Sequence, residues 1–146
     1  MARDKKDDSG MASRQRAILQ ESFLTIDGSV MKILLIDDNA DSNDMLGMLL
    51  ETQGHTVSAA SSGRTGMDMA RTARPDVVVV DLGLPDIDGL QVIATLMSDQ
   101  SLSECIVVAL TGRNDLESRR QAAAAGARHF FVKGDDISAL LAITRH

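Results

Sequence analysis

From Met31 onward, apolar and polar positions alternate in blocks along the chain. Lys32–Ile36 is an apolar run ending at Asp37-Asp38. Asp41–Gln53 has helical spacing, with Met45, Leu46, Met48, Leu49 and Leu50 on a broad apolar side, and Gly54 ends it. Thr56–Ala60 reads as a weaker strand. Gly63–Arg74 reads as a helix carrying Met67, Met69 and Ala70, broken by Pro75. In Val77-Val78-Val79-Val80, consecutive β-branched residues suit a strand covered on both faces. That run stops at Asp81, and Leu82-Gly83-Leu84-Pro85-Asp86-Ile87-Asp88 follows as a loop. Gly89–Gln100 reads as a helix presenting Leu90, Ile93, Ala94 and Met97 on one side. Ile106–Leu110 is a strand ending at Thr111, and Leu116–Ala125 a helix ending at Gly126. His129–Val132 is a strand ending at Lys133, and Ile137–Arg145 a last helix.

Strand–helix alternation of this kind implies a parallel sheet with helices on both faces. The expected fold is a doubly wound, flavodoxin-like α/β domain over residues 31–146 with five strands, for which the order 2-1-3-4-5 is one of the two common arrangements. In that order the first, third, fourth and fifth strands are neighbours. Their ends bring Asp37, Asp38, Asp81, Thr111 and Lys133 toward one crevice at the carboxyl edge, where open sheets of this class bind ligands.

Charge divides the chain in two. In residues 1–30, Arg3, Lys5, Lys6, Arg14 and Arg16 balance Asp4, Asp7, Asp8, Glu21 and Asp27, so the net charge of −6 belongs to residues 31–146. The first thirty residues read as an arm, disordered or partly helical around Ala12–Leu24. The acidic domain is expected to bind no nucleic acid. No apolar run approaches the ~20 residues of a membrane span, and the N-terminus lacks the apolar core of a signal peptide. Cys105, the single cysteine, reads as a buried small hydrophobe. A cytoplasmic protein is expected. Few residues follow the last helix, so a stand-alone domain without an output module is also expected.

Carboxylates crowded together repel, and burial worsens this. A shared proton relieves it, or a bound cation does. A hard divalent ion such as Mg²⁺, which takes one or two carboxylates plus waters, suits an oxygen-only set. A cation, a hydroxyl and a lysine around a carboxylate make a site for a phosphoryl group, and carboxylates form aspartyl-phosphates. Asp81, central between the acid pair and the lysine, is the candidate nucleophile. Asp37 and Asp38 are the candidate metal ligands.

Four segments carry a resemblance: Ile36-Asp37-Asp38-Asn39, Asp81 through Gly89, Ala109-Leu110-Thr111-Gly112, and Ala125-Gly126-Ala127 followed by Phe131-Val132-Lys133. In order and spacing, residues 31–146 resemble the receiver domain of two-component response regulators, a CheY-like family. The strand order above belongs to that family, so it is not independent support. The resemblance implies that Asp81 accepts the phosphoryl group. It implies Mg²⁺ on Asp37, Asp38, Asp81 and the backbone carbonyl of Gly83. Thr111 is implied as the switch hydroxyl, Lys133 as the phosphate-pairing lysine, and Phe130 as an aromatic that turns inward on activation. The implied partners are a histidine kinase or histidine phosphotransfer protein, and a downstream protein docking on the face of helix 4, strand 5 and helix 5. One departure is evident: Gly134 follows Lys133 where the family usually has proline, so a trans bond or a remodelled loop is expected.

Two other readings remain open. One is a phosphohydrolase working through an aspartyl-phosphate, although Gly83 stands where such enzymes carry a second acid. The other is a receiver fragment of a hybrid histidine kinase. Among the remaining residues, Asp41 is expected to cap the first helix, Asp86 and Asp88 to be turn residues, and the methionines to fill the core.

Overall fold

A computed structural model describes residues 30–112 and 115–134. The helix expected near residues 12–24 and the last helix expected at 137–145 lie outside the described residues. The described elements run β1 (Lys32–Ile36), α1 (Ala40–Thr52), β2 (Thr56–Ala60), α2 (Gly63–Ala73), β3 (Val77–Asp81) and α3 (Gly89–Met97). A 3-10 turn at Gln100–Leu102 follows, then β4 (Ile106–Thr111), α4 (Leu116–Ala125) and β5 (His129–Val132). All strand pairs are parallel and the order is β2-β1-β3-β4-β5, as expected.

The period of two along each strand splits the core between the two faces of the sheet. Leu34, Ile36, Val78, Val80, Val107 and Ala109 pack with Ala70 of α2, Val92, Ile93 and Leu96 of α3, and Ala122 of α4. Ile33, Leu35, Val77, Val79 and Val108 point the other way and pack with Leu46 and Leu50 of α1. Every residue of β3 is buried, which is why its sequence shows no alternation. β2, at the sheet edge, buries only Ala60 fully, which explains its weak signal. Cys105 is buried; burial, with the charge of Asp76 adding, pushes its thiol up to about 11.

Two helices turn differently from expectation. α1 buries Leu46, Gly47 and Leu50, and leaves Met45 and Met48 exposed rather than in the core. One side of a helix meets the sheet, and Leu46 and Leu50, four apart, define it. In α3 the buried residues are Gly89, Val92, Ile93 and Leu96, whereas Ala94 is exposed. Gly89 fixes this rotation: a Cβ there would lie 2.5 Å from the carbonyl oxygen of Asp81, so only glycine lets α3 start so close to β3. α3 also ends sooner than its spacing suggests. Beyond Ser98, the Asp99 carboxylate takes the Ser101 N–H and hydroxyl at 2.9 and 2.7 Å and begins the separate 3-10 turn.

The caps differ in part as well. Asn39, not Asp41, caps α1, accepting the Ser42 N–H at 3.0 Å, and Asp41 lies in the first turn. Asp88 caps α3 through the Leu90 N–H at 2.9 Å. Arg74 ends α2 in the left-handed region at φ 49°. Replacing it by glycine removes a steric cost of about 1 kcal/mol. Arg74→Gly is therefore expected to raise unfolding free energy by up to that amount in urea titration.

Candidate functional site

The ends of β1, β3, β4 and β5 carry the residues singled out by sequence. Because the pairing is parallel and in step, Asp81 extends β3 opposite Leu110, and Thr111 sits opposite Val132. Lys133 follows as the next residue, and its N–H donates to the Thr111 carbonyl at 2.7 Å. One more rung of the ladder thus fixes the lysine backbone beside β4. Its side chain reaches across: Lys133 Nζ lies 2.9 Å from Asp37 Oδ2 and 3.4 Å from Asp81 Oδ2.

Asp37 and Asp81 are buried, whereas Asp38 is exposed. Asp37 is held from several sides. Its Oδ1 accepts the Asn39 N–H at 2.9 Å, its N–H donates to the Ala60 carbonyl at 3.0 Å, and its carbonyl accepts Asn43 Nδ2 at 2.8 Å. Asn39 and Asn43 thereby tie the acid pair to the start of α1. Neither role was expected from sequence, where both stand among the polar residues that open α1. Asp81 Oδ1 accepts the Gly83 N–H at 3.0 Å, which curls the following loop back over the carboxylate.

Electrostatics follow from this crowding. Burial raises the Asp81 carboxyl above its ordinary value and the charge of Asp37 adds to this, while the Gly83 N–H and Lys133 oppose it. For Lys133, burial favours the neutral amine, but the hydrogen bond to Asp37 and the charges of Asp81 and Asp37 outweigh burial and raise its pKa. The ammonium is therefore held charged between two acids.

A metal ion fits this set. Asp37, Asp38 and Asp81 each offer a carboxylate oxygen, and these atoms lie within 4.8 Å of one another. Octahedral Mg²⁺ places its ligand oxygens roughly 3–4 Å apart, so small side-chain adjustments suffice. The donor set is all hard oxygen, the chemistry such an ion prefers.

Thr111 is buried at the end of β4. Phe130, on β5, is half-buried against the core shared with α2, α3 and α4, and the Arg119 guanidinium carbon of α4 sits 4.7 Å from its ring centroid. Gly134 adopts φ 88°, a left-handed conformation closed to proline, whose ring holds φ near −65°. The departure from the family pattern thus has a structural meaning: the chain leaves Lys133 by a turn that proline does not permit.

The sequence profile of the response regulator receiver domain matches residues 33–145. The chain belongs to this family, the receiver domain of two-component signalling. Among curated relatives, the DNA-binding dual master transcriptional regulator RpaA of Synechocystis is 32% identical over 78% of this chain and 47% of its own. The chain spans about half the length of several such regulators. RpaA binds DNA, so the relatives give no support to the expectation of no nucleic-acid partner. Among solved structures, the chemotaxis protein CheY4 of Vibrio cholerae matches with a TM-score of 0.74 and 25% identity, over 80% of this chain and 97% of that one. A Burkholderia pseudomallei response regulator carrying a phosphorylated aspartic acid and a calcium ion matches with a TM-score of 0.71 and 28% identity, over 76% and 64% of the two chains. Among the described residues, no helix is long and apolar enough to cross a membrane.

Two measurements check this geometry. Asp81→Asn removes one of the crowded charges and is expected to stabilise the fold by on the order of 1 kcal/mol at neutral pH in chelator. Because the native carboxyl titrates above its unfolded value, ionisation of Asp81 weighs against the native state. The gain should be complete above the raised value and vanish below the ordinary carboxylate value; thermal melts across that range give the sign. Gly134→Ala should cost about 1 kcal/mol, and Gly134→Pro more, since neither residue suits a positive φ.

Proposed function

We propose that this domain is the phosphoryl acceptor of a two-component phosphorelay, with Asp81 as the nucleophile. One observation carries the reading. The Asp81 carboxylate meets a lysine ammonium, which it shares with Asp37, and two further carboxylates of metal-binding disposition, at the open end of a buried strand.

In this reading a histidine kinase or a histidine phosphotransfer protein presents a phosphoimidazole. A carboxylate oxygen of Asp81 attacks phosphorus, the P–N bond breaks, and its electron pair stays on the departing imidazole nitrogen, which takes up a proton. Lys133, released from Asp37, pairs with a phosphoryl oxygen, and the Thr111 hydroxyl donates to another. Asp37, Asp38, Asp81 and the Gly83 carbonyl would hold Mg²⁺, which would supply positive charge to offset that of the phosphoryl group. The domain promotes its own phosphorylation and hydrolysis but turns over no separate substrate.

Signal output follows from the same residues. Thr111 moving toward the phosphoryl group vacates space near β5, and Phe130 follows inward, releasing its contact with Arg119. That reshapes the α4–β5 surface, which with the helix expected from sequence at 137–145 is the docking face proposed for a downstream protein; it is a population shift between two states. A cytoplasmic setting suits such partners. The site reading is the same for a separate receiver and for one joined to an output or kinase module, as the lengths of its relatives allow.

Incubation with acetyl phosphate and Mg²⁺ should add one phosphoryl mass, and chelator or Asp81→Asn should abolish it. Lys133→Ala should slow labelling by roughly a hundredfold or more, as loss of one charge-stabilising group does. Undiminished labelling of Asp81→Asn would refute the assignment.

A further inference from the structure

The loop joining β3 to α3 carries the Gly83 carbonyl; Leu84 anchors it in the core and Leu82 and Ile87 pack against that core, while Gly83, Pro85, Asp86 and Asp88 are exposed. Sequence reading treats Asp86 as a turn residue. In the structure its side chain leaves its own loop and reaches α2. Asp86 Oδ1 accepts the Gly63 N–H at 2.9 Å, and Oδ2 accepts the Arg64 N–H at 3.0 Å. Ser62 takes the Thr65 N–H at 3.2 Å. The orphan donors of the first turn of α2 are thus shared between its own cap and an acid more than twenty residues away. These N–H bonds hold the Asp86 carboxyl below the ordinary carboxylate range, so it is anionic at neutral pH.

What α2 rests on gives the contact its consequence. Gly66 lies against Ile36, where a Cβ would come within 2.5 Å of Cδ1, and Ile36 directly precedes Asp37. Gly63 lies against Asp86 and Ile87, where a Cβ would meet each at 3.4 Å. α2 is therefore pressed on the strand bearing the Asp37-Asp38 pair at one point and gripped by the Gly83 loop at another. The far end of that loop is fixed by Gly89 on the Asp81 backbone. Asp86 is the clamp at its middle.

We infer that Asp86 is a positioning residue for the cation site, setting through α2 the separation between the Gly83 carbonyl and the Asp37-Asp38 carboxylates. This rests on the phosphoacceptor reading and adds to it a residue that touches neither cation nor phosphoryl group. Loss of the clamp should weaken Mg²⁺ binding roughly tenfold, the scale on which outer partners tune a metal site.

The test is a Mg²⁺ titration of the full chain followed by the amide resonances of Gly83 and Asp81, with hydrogen exchange of the Gly63 and Arg64 amides. Asp86→Ala should raise the half-saturating Mg²⁺ concentration and speed exchange at Gly63 and Arg64. Asp86→Asn, which keeps one acceptor, should change both in the same direction but less; it carries the test if the alanine variant does not fold. Asp68→Asn, which removes an exposed acid of α2 outside this contact, should leave both unchanged. A half-saturation within twofold of wild type in folded Asp86→Ala overturns the positioning role, as does an equal loss in Asp68→Asn, which would mark a charge effect alone. Wild type that neither responds to Mg²⁺ nor accepts phosphoryl from acetyl phosphate would instead overturn the phosphoacceptor reading, and this inference with it.

Discussion

Parallel pairing points every strand of this sheet the same way, so the polar residues that end the strands emerge together. Both faces are sealed by aliphatic side chains, and the carboxyl edge is where charge can surface. Asp37, Asp38 and Asp81 meet there at separations that repel. The arrangement holds because Lys133 stands between two of them and because Asp37 and Asp81 each accept a backbone N–H. The cost of gathering like charges makes the site a good host for a cation, on which the proposed receipt of a phosphoryl group depends.

The same constraint shapes the scaffold around it. Glycines at Gly66 and Gly89 let α2 and α3 sit directly on the strand ends, so the acids rest on backbone with little slack. The other half of the site is built differently. Lys133 is held by a single rung to Thr111 and is followed by the left-handed Gly134, and Phe130 is only half-buried beneath Arg119. A rigid acidic side facing a less constrained β4–β5 side suits a domain in which one event of charge is converted to a change of surface, as proposed.

Fold and chemistry were legible in the sequence to different depths. The strand runs of β1, β2 and β5 and the helix α4 coincide with their observed limits, because charged strand ends, glycine or small polar turn residues stand at or near their boundaries. The buried strand Val77–Val80 was visible as an unbroken β-branched run. Helix orientation was less legible: Met45 and Met48 have the same hydropathy as core residues, and only contact with the sheet distinguishes Leu46 and Leu50 from them. Asn43 and Asp86 were missed because a polar residue on a helix or in a loop carries no mark of the distant backbone it will bind.

Sequence by itself determined the alternation of strands and helices, hence a parallel sheet and which residues stand at strand ends, because periodicity and turn chemistry are local. It also marked Gly134 as a departure. Tertiary structure decided the rest: that Lys133 bridges Asp37 and Asp81, that Asn39 takes the cap from Asp41, and that the Gly83 loop is tied to α2 through Asp86. Each depends on where a side chain some angstroms long meets backbone far away in sequence, and that distance is set by packing between elements.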